Sequence, residues 1–224
     1  STKATSIREW FMTIKKHLEE PGADEFYAEL FDDLKKYAGM GLFAKPSITF
    51  ADVAGMDALK KAIRAKIIEP VKNPKLYRKY GMKAGGGILL YGPPGCGKTY
   101  IMKAAAGEGG VNFVTAKLSD ILSKWVGEAE KNLHSIFETA RKNSPCILFF
   151  DEIDAIGGAR GEGKSESSQQ LVNQFLTELD GIGATTEGIL VVGATNIPWM
   201  VDLALRRSGR LGDTIYVPPP DLES

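Results

Sequence analysis

The 224-residue sequence lacks the features that would place it in a membrane or outside the cell. No apolar run approaches the ~20 residues that a bilayer-spanning helix requires, and residues 1–8 contain no apolar secretory core. The two cysteines, Cys96 and Cys146, make neither a disulfide framework nor a paired-cysteine metal motif. A reducing, cytoplasmic setting without a membrane segment is therefore expected.

The chain also has no net charge, because its 28 basic residues (Lys and Arg) are balanced by 28 acidic residues (Asp and Glu). A protein held to nucleic acid by bulk charge would be basic. No specific nucleic-acid partner is therefore expected, although a local basic stripe would be compatible with this balance. Hydrophobic residues make up 43% and charged residues 25% of the chain, which is the composition of a soluble globular protein with a substantial core.

The first 45 residues differ in pattern from the rest. Ser6 and Glu9 form a capping-box pattern, and the apolar residues that follow recur at helical spacing. A second amphipathic helix is predicted from Asp24 and ends before Gly39. Two such short helices do not form a core of their own. Residues 1–45 are therefore predicted to be a helical appendage that packs on other structure, with a partner-binding module as the alternative.

From residue 48 onward, short apolar runs alternate with amphipathic stretches. Strands are predicted at residues 88–91, 112–116, 147–150, 189–193 and 214–217. Helices are predicted at residues 57–69, 98–107, 119–124, 129–142 and 169–179. This alternation indicates an α/β domain, residues 46–224, with a parallel five-stranded sheet covered by helices on both faces. The Gly-rich polar segment 157–168 is predicted to be a mobile loop.

A Gly-rich turn between the first predicted strand and the next helix matches the phosphate-loop pattern G-x-x-x-x-G-K-[ST]. Its residues are Gly92, Pro93, Pro94, Gly95, Cys96, Gly97, Lys98 and Thr99. Glycines allow backbone N–H groups to turn towards phosphate, and the start of a helix adds positive potential. Lys98 is predicted to contact the terminal phosphates and Thr99 to ligate Mg²⁺. ATP or ADP with Mg²⁺ is therefore the expected cofactor.

Two acids, Asp151 and Glu152, follow the third apolar run. A buried parallel strand delivers such carboxylates to the C-terminal edge of its sheet, beside the phosphate loop. Asp151 is predicted to hold Mg²⁺, directly or through water, and Glu152 to orient and polarise the attacking water. The alternative is a strand that merely ends in two solvated acids.

Two further signals are weaker. Asn196 follows the fourth apolar run, where it could hydrogen-bond a γ-phosphate or serve as an ordinary turn residue. A cluster of arginines follows at Arg206, Arg207 and Arg210. Their planar guanidinium groups suit the charge of a γ-phosphate in the transition state of its transfer. A solvated basic turn is the alternative, and the cluster alone does not decide between them.

Six segments together resemble the AAA family of ATPases in its strict sense, over residues 50–221. The residues that carry the resemblance are Asp52-Val53-Ala54-Gly55, the phosphate loop, Lys124-Trp125-Val126-Gly127-Glu128, Asp151-Glu152-Ile153-Asp154, Gly193-Ala194-Thr195-Asn196 and Arg207-Ser208-Gly209-Arg210. Within the family, the chain is most similar to the second ATPase domain of valosin-containing-protein-like ATPases. The resemblance implies the AAA+ form of the P-loop NTPase fold.

The resemblance also implies roles that the residues alone leave open. The nucleotide-binding set becomes Val53, Ala54, Gly55, Pro94, Gly95, Cys96, Gly97, Lys98, Thr99 and Tyr100, with the first three lining the adenine pocket. Tyr100 stands where an aliphatic residue is usual. Asn196 would sense the γ-phosphate, while Arg207 and Arg210 would be arginine fingers that reach the nucleotide of a neighbouring subunit. With Lys98 and Glu152, these three residues make up the implied catalytic set.

A central pore loop is implied at Lys124, Trp125, Val126 and Gly127, with its aromatic residue gripping an extended polypeptide. By itself, a Trp beside a Gly suits either a mobile loop or a buried core position. The family also continues into a small helical lid, which would follow Ser224. We therefore expect this chain to be part of a longer protein, and to bind nucleotide more weakly and assemble poorly without the lid.

The function implied is that of a ring-forming ATPase, normally a hexamer, that remodels, unfolds or disassembles proteins by threading polypeptide through its pore. A chaperone-like enzyme with a protein substrate is therefore expected. Two alternatives are a nucleic-acid-handling AAA+ ATPase and a nucleotide-dependent switch with little turnover. Neutral net charge and the aromatic pore loop oppose the first, and Glu152 opposes the second.

Overall fold

The computed structural model describes residues 45–80, 86–119, 121, 129–157, 166–185 and 188–220. By its contacts the chain divides into two units, Ser1–Gly41 and Leu42–Ser224. All of the described residues belong to the second unit, so the helices predicted in the N-terminal segment lie outside the described residues. The implied pore loop, residues 124–127, falls in a gap between the described ranges of the second unit.

The second unit is built on a sheet of five parallel strands in the order β2-β3-β4-β1-β5. The bounds are β1 Gly86–Tyr91, β2 Asn112–Lys117, β3 Cys146–Asp151, β4 Ile189–Thr195 and β5 Asp213–Tyr216. Every strand begins and ends within two residues of its predicted position. The α/β class and the parallel five-stranded sheet predicted from the sequence are confirmed.

Among the described residues, three helices precede β1 and four connect later strands. Their bounds are α1 Asp57–Ile63, α2 Glu69–Lys72, α3 Pro74–Lys79, α4 Lys98–Gly109, α5 Ala129–Lys142, α6 Asp154–Gly157 and α7 Glu166–Thr185. Two short 3-10 turns occur at Phe50–Asp52 and Pro198–Met200. The end of α4 has a simple cause, because Gly110 takes a left-handed conformation with φ 63° and its N–H caps the helix.

Helices cover both faces of the sheet, as its continuous apolar strands require. On β3, Phe149 faces a core shared with α4, and its ring lies 5.8 Å from that of Phe113. Phe150 points the other way, where its ring lies 5.5 Å from Phe137 on α5 and 4.9 Å from Phe175 on α7. Because successive side chains of a strand alternate between faces, one buried strand anchors both helical layers.

Several local predictions were wrong. The helix predicted over 57–69 is interrupted by a π-helical turn at Arg64–Ile68, and α3 at Pro74–Lys79 was not predicted. The predicted loop 157–168 is too long, because Gly157 ends α6 and Glu166 begins α7, with residues 158–165 outside the described ranges. In the described part of the chain, no helix is both long and apolar enough to span a bilayer.

Candidate functional site

The carboxyl ends of three neighbouring strands meet at one edge of the sheet. The phosphate loop follows β1, Asp151 ends β3 with Glu152 directly after it, and Asn196 follows β4. Parallel strands bring their C-terminal side chains to the same edge, where ligands of α/β proteins bind. The order β3-β4-β1 makes the three strands adjacent. The sheet thus brings together the residues predicted to bind and hydrolyse the nucleotide.

Glycine is required at three positions of the phosphate loop. Gly95 and Gly97 adopt left-handed conformations, with φ 77° and 81°, which favour glycine and turn the backbone N–H groups into the loop. At Gly92 a Cβ would collide with the Val217 carbonyl oxygen, so a side chain there would push the loop away from the end of β5. The loop therefore has the backbone shape of a phosphate cradle, directly before the N-terminus of α4.

Lys98 lies inside this cradle, with only 8% of its surface exposed. Its ammonium donates to the carbonyl oxygens of Gly92 and Pro93, both at 2.9 Å, and to Asn196 Oδ1 at 2.6 Å. These hydrogen bonds fix the position of the Lys98 ammonium and link the phosphate loop to Asn196, the residue predicted to sense the γ-phosphate. A buried cation surrounded by backbone dipoles is suited to bind the terminal phosphates of a nucleotide.

Thr99 and Asp151, the predicted Mg²⁺ ligands, are in direct contact. Thr99 Oγ1 donates to Asp151 Oδ2 at 3.1 Å, across the gap between α4 and β3. Both are hard oxygen donors of the kind that Mg²⁺ prefers, and Mg²⁺ usually takes one or two protein ligands together with phosphate oxygens and water. Among the described residues, no group of three or more His, Cys, Asp or Glu side chains could hold a metal ion by itself, without phosphate oxygens or water as further ligands. The residues present therefore fit a nucleotide-bound Mg²⁺.

Glu152 is held by two side chains from the neighbouring strand region. Lys117 Nζ lies 3.0 Å from Glu152 Oε1, and Ser119 Oγ donates to Oε2 at 2.9 Å. The hydrogen bond from Lys117 holds the pKa of the Glu152 carboxyl below its ordinary value, with a smaller contribution from Ser119. Glu152 is also one of two non-glycine residues in the described chain with a left-handed backbone, at φ 53°. The predicted base is therefore ionised and fixed in direction.

Asn196 is placed by a short hydrogen-bond chain under the end of β4. Thr195 is 1% exposed, and its hydroxyl donates to Asp154 Oδ1 at 2.5 Å and accepts from the Ile197 N–H at 2.9 Å. Because Asp154 lies just after β3, this chain of hydrogen bonds ties the residues on either side of Asn196 to the segment that carries Glu152.

The segment predicted to line the adenine pocket runs beside α4. Val53 is buried, whereas Ala54 and Gly55 are exposed, and Gly55 has a left-handed φ of 56°. The Tyr100 hydroxyl donates to the Asp52 carbonyl oxygen at 3.2 Å. The helix that begins at the phosphate loop therefore contacts the residue directly before the predicted adenine segment.

The arginine cluster lies at the opposite end of the sheet from the phosphate loop. A Cβ on Gly87, near the start of β1, would lie 2.7 Å from the Arg210 carbonyl oxygen, and one on Gly212 would lie 2.9 Å from that of Arg207. The phosphate loop begins after Tyr91, so about 13 Å of strand separates the two places. That length exceeds the reach of an arginine side chain. The structure does not bring Arg207 and Arg210 to the phosphate loop of their own chain.

A match to the family described as ATPase family associated with various cellular activities (AAA) covers residues 88–219. The chain belongs to this family.

Two relatives are each 44% identical to the chain over 183 residues. They are the Ribosome biogenesis ATPase RIX7 of Saccharomyces cerevisiae and the Cell division control protein 48 homolog C of Arabidopsis thaliana. The matched stretch is 82% of this chain but only 22% of either relative, so the chain spans about a fifth of their length. The predicted AAA family, the class of ATP-hydrolysing enzymes and ATP or ADP as the family's ligand are confirmed.

Sequence reasoning missed three residues that contact the AAA site or its arginines, namely Lys117, Ser119 and Asp180. Lys117 and Ser119 hold Glu152, and Asp180 pairs with Arg210. Lys117 directly follows the predicted strand 112–116, which would have made it a candidate only if β2 were known to lie beside β3. That adjacency follows from the strand order, which the sequence alone did not reveal.

Proposed function

We propose that this AAA domain hydrolyses Mg²⁺-bound ATP at the interface between neighbouring copies and uses the cycle to remodel a protein substrate. The observation that supports it best is the separation of the catalytic groups. Lys98, Thr99 and Glu152 lie at one edge of the sheet, and Arg207 lies at the other. A site that uses both sets must be completed by two chains.

Within one chain, Lys98 and the phosphate-loop N–H groups bind the phosphates, and Thr99 and Asp151 hold Mg²⁺. When bound, the ion neutralises charge on the phosphate oxygens. Glu152 orients a water molecule towards the γ-phosphorus and accepts its proton as the new P–O bond forms and ADP leaves. Asn196 contacts the γ-phosphate in this proposal, and its hydrogen bond from Lys98 supports that role.

A neighbouring chain supplies Arg207, whose guanidinium stabilises the negative charge of the transition state. Such an arginine typically contributes about 10³- to 10⁵-fold to the rate. Relatives in the AAA family typically form hexamers, and we propose the same assembly here. Hydrolysis would then depend on the protein concentration, because an isolated copy lacks the arginine that its site needs.

The proposed substrate is a polypeptide or protein complex, gripped by the pore loop that includes Lys124, Trp125, Val126 and Gly127. The name of the yeast relative refers to ribosome biogenesis and that of the plant relative to cell division control. The pore-loop residues lie outside the described ranges, so their role rests on the family resemblance alone.

The test is the ATPase rate per chain as a function of protein concentration and Mg²⁺ concentration. We expect the rate per chain to rise with concentration and to fall by at least about 100-fold in Glu152→Gln. Asp151→Asn is expected to raise the Mg²⁺ concentration needed for half-maximal activity. Mixing Glu152→Gln chains with Arg207→Ala chains should restore activity, because some interfaces then combine an intact base with an intact arginine. A rate per chain that is independent of concentration and of Arg207 would contradict the proposal.

A further inference from the structure

Positive charge is concentrated in one segment of the chain. Residues 60–79 contain eight Lys or Arg residues and one acid, Glu69, so the segment has a formal charge of +7. Because the whole chain is neutral, the remaining residues together carry −7. Glu69 is itself engaged, since its Oε2 accepts a hydrogen bond from Asn73 Nδ2 at 3.1 Å. Such a local excess of one sign is the electrostatic footprint of a partner of opposite charge.

The basic residues begin on the outer face of one helical run. Helix α1, the π-helical turn and α2 follow one another without a break over residues 57–72. Ile63, Ile67 and Val71 are each 2% exposed or less, and they form the side of this run that packs in the core. Lys61 and Arg64 are exposed and lie one turn apart, so their charges are neighbours on the outer face.

Helix α4 extends this face by bringing two of the cations together. Arg64 Nη2 lies 2.7 Å from Glu108 Oε1, and Lys72 Nζ donates to the Glu108 carbonyl oxygen at 3.4 Å. Two side chains that are eight positions apart in the chain therefore meet at one residue. Both are exposed, and each has further N–H groups with which to bind an anion. Lys61, Arg64 and Lys72 thus form one continuous row of positive charge.

An exposed aromatic side chain follows this row. The Asn73 carbonyl oxygen accepts from the Tyr77 N–H at 3.3 Å, and the Tyr77 carbonyl oxygen accepts from the Tyr80 N–H at 3.1 Å. At a helical rise of 1.5 Å per residue, Tyr80 therefore lies about 10 Å from Asn73 along α3. Tyr80 is 72% exposed, and the preceding Lys79 is also exposed. An exposed ring beside cations suits a base that stacks while its phosphates are neutralised.

We propose that Lys61, Arg64, Lys72, Lys79 and Tyr80 form a binding surface for single-stranded nucleic acid, here named the basic surface. The four cations bind successive phosphates, and Tyr80 stacks on one base. A single strand is required, because the bases of a duplex are already stacked on one another and offer no free face to the ring. Every base has such a face, so little dependence on nucleotide sequence is expected.

Tyr80 also favours a nucleic acid over an acidic polypeptide as the ligand. A run of Asp and Glu side chains would satisfy the cations but would offer the tyrosine ring no aromatic plane. The row from Lys61 to Lys72 is about 16 Å long, which matches a segment of a few nucleotides. Neutral net charge of the whole chain is compatible with such a surface, because the cations are gathered in one place. The inference goes beyond the proposed ATP hydrolysis and does not depend on it.

The test measures binding of a short fluorescent oligouridine to the 224-residue chain by anisotropy, at several salt concentrations. Mg²⁺ and ADP are added so that the phosphate loop is occupied. Lys61→Gln/Lys79→Gln should weaken binding about tenfold and make the plot of log affinity against log salt shallower by about 1.4. Lys131→Gln/Lys142→Gln is the matched control, because it removes the same charge from two exposed lysines on α5. This control should bind like wild type.

A second set of variants tests the aromatic contact. Tyr80→Ala should weaken binding at least about fivefold, whereas Tyr80→Phe should bind like wild type, since stacking requires only the ring. Trp199→Ala is the control for Tyr80→Ala, because Trp199 is an equally exposed aromatic residue, at 74%, outside the basic surface. The melting temperature and the binding of a fluorescent ATP analogue should be the same in Tyr80→Ala and wild type.

Four results would overturn the inference: no binding of oligouridine by wild type at low salt, equal losses in the two lysine double variants, equal affinity for duplex and single strand, or a polyglutamate peptide that binds as tightly as oligouridine. The last would show that the surface takes an acidic protein segment. Comparison of oligouridine with oligodeoxythymidine shows whether RNA or DNA is preferred, and tighter binding of either supports the inference. The ATPase rate tests the proposed function separately, so each can fail without the other.

Discussion

Arg210 and Asp180 form a two-pronged ion pair within one chain. Arg210 Nε donates to Asp180 Oδ1 and Nη2 donates to Oδ2, both at 2.8 Å, while Nη1 donates to the Ala204 carbonyl oxygen. Arg207, three residues earlier, is exposed and has no side-chain partner among the described residues. The two arginines that the family resemblance treats alike therefore differ. Arg210 fixes the shape of the loop, whereas the side chain of Arg207 is available to contact a group outside the loop.

This difference predicts the behaviour of four variants. Arg207→Ala should lower kcat of the assembled protein by about 10³-fold or more, with nucleotide binding unchanged. Arg210→Ala and Asp180→Ala should each give a smaller loss. The double variant Arg210→Ala/Asp180→Ala should lose no more activity than either of its single variants, because both changes remove the same ion pair. Steady-state kinetics above the assembly concentration measure all four. Normal activity in Asp180→Ala beside an inactive Arg210→Ala would show that Arg210 acts on the nucleotide directly.

The same pair predicts a pH dependence of stability. The hydrogen bond from Arg210 lowers the pKa of Asp180 in the folded chain below its ordinary value. The unfolded chain, with an Asp pKa of about 3.9, then takes up the proton first as the pH falls. The stability supplied by the pair is therefore fully present above that value and is lost as the pH falls through the lowered pKa. Thermal melts should show wild type above Asp180→Asn near neutral pH, with the difference shrinking below about pH 4. A difference that persists in acid would contradict the ion pair.

Lys117 predicts a shift in the pH–rate profile. Glu152 accepts a proton only when ionised, and the contact with Lys117 holds its pKa down. Lys117→Met should raise the pKa of Glu152 and so move the acid limb of the profile to higher pH. Ser119→Ala should move it less, because Ser119 makes the smaller contribution. Lys103→Met is the control, since Lys103 is an exposed lysine on α4. Superimposable acid limbs in Lys117→Met and wild type would rule out Glu152 as the base whose protonation is seen.

Gly107 predicts a stability change with a control two residues away. A Cβ on Gly107 would collide with the Ile48 carbonyl oxygen and would lie 2.8 Å from that of Pro46. A Cβ on Gly109 meets only side-chain methyl groups, the nearest at 3.4 Å. Gly107→Ala should destabilise the chain by about 1–3 kcal/mol, whereas Gly109→Ala should be near neutral. Denaturant unfolding measures both, and equal midpoints would refute the close crossing of residues 46–48 over α4.

The elements that sequence reasoning predicted best are those whose signals are local. Helix α5 begins and ends where predicted, at Ala129 and Lys142, because apolar residues recur along it at helical spacing. The phosphate loop and the acids after β3 were found because a short motif and a buried strand occur in the right order. Each of these rests on residues that are close together in the chain.

The features that were missed depend on strand order and on contacts between distant segments. The Lys117–Glu152 contact requires β2 beside β3, and the Arg210–Asp180 pair joins residues 30 positions apart. The π-helical turn at Arg64–Ile68 adds residues to a turn without breaking the apolar pattern, so periodicity alone did not reveal it. Helix α3, at Pro74–Lys79, is too short for a periodic signal to emerge.

The left-handed backbone of Glu152 sets stability against activity at one residue. A non-glycine residue held in that conformation costs about 1–2 kcal/mol, and glycine would avoid this strain. Glu152→Gly should therefore give a chain that is more resistant to unfolding and unable to activate water. Selection for thermal stability alone would tend to erase the carboxylate. A glutamate at this position in a relative would therefore indicate continued selection for ATP turnover.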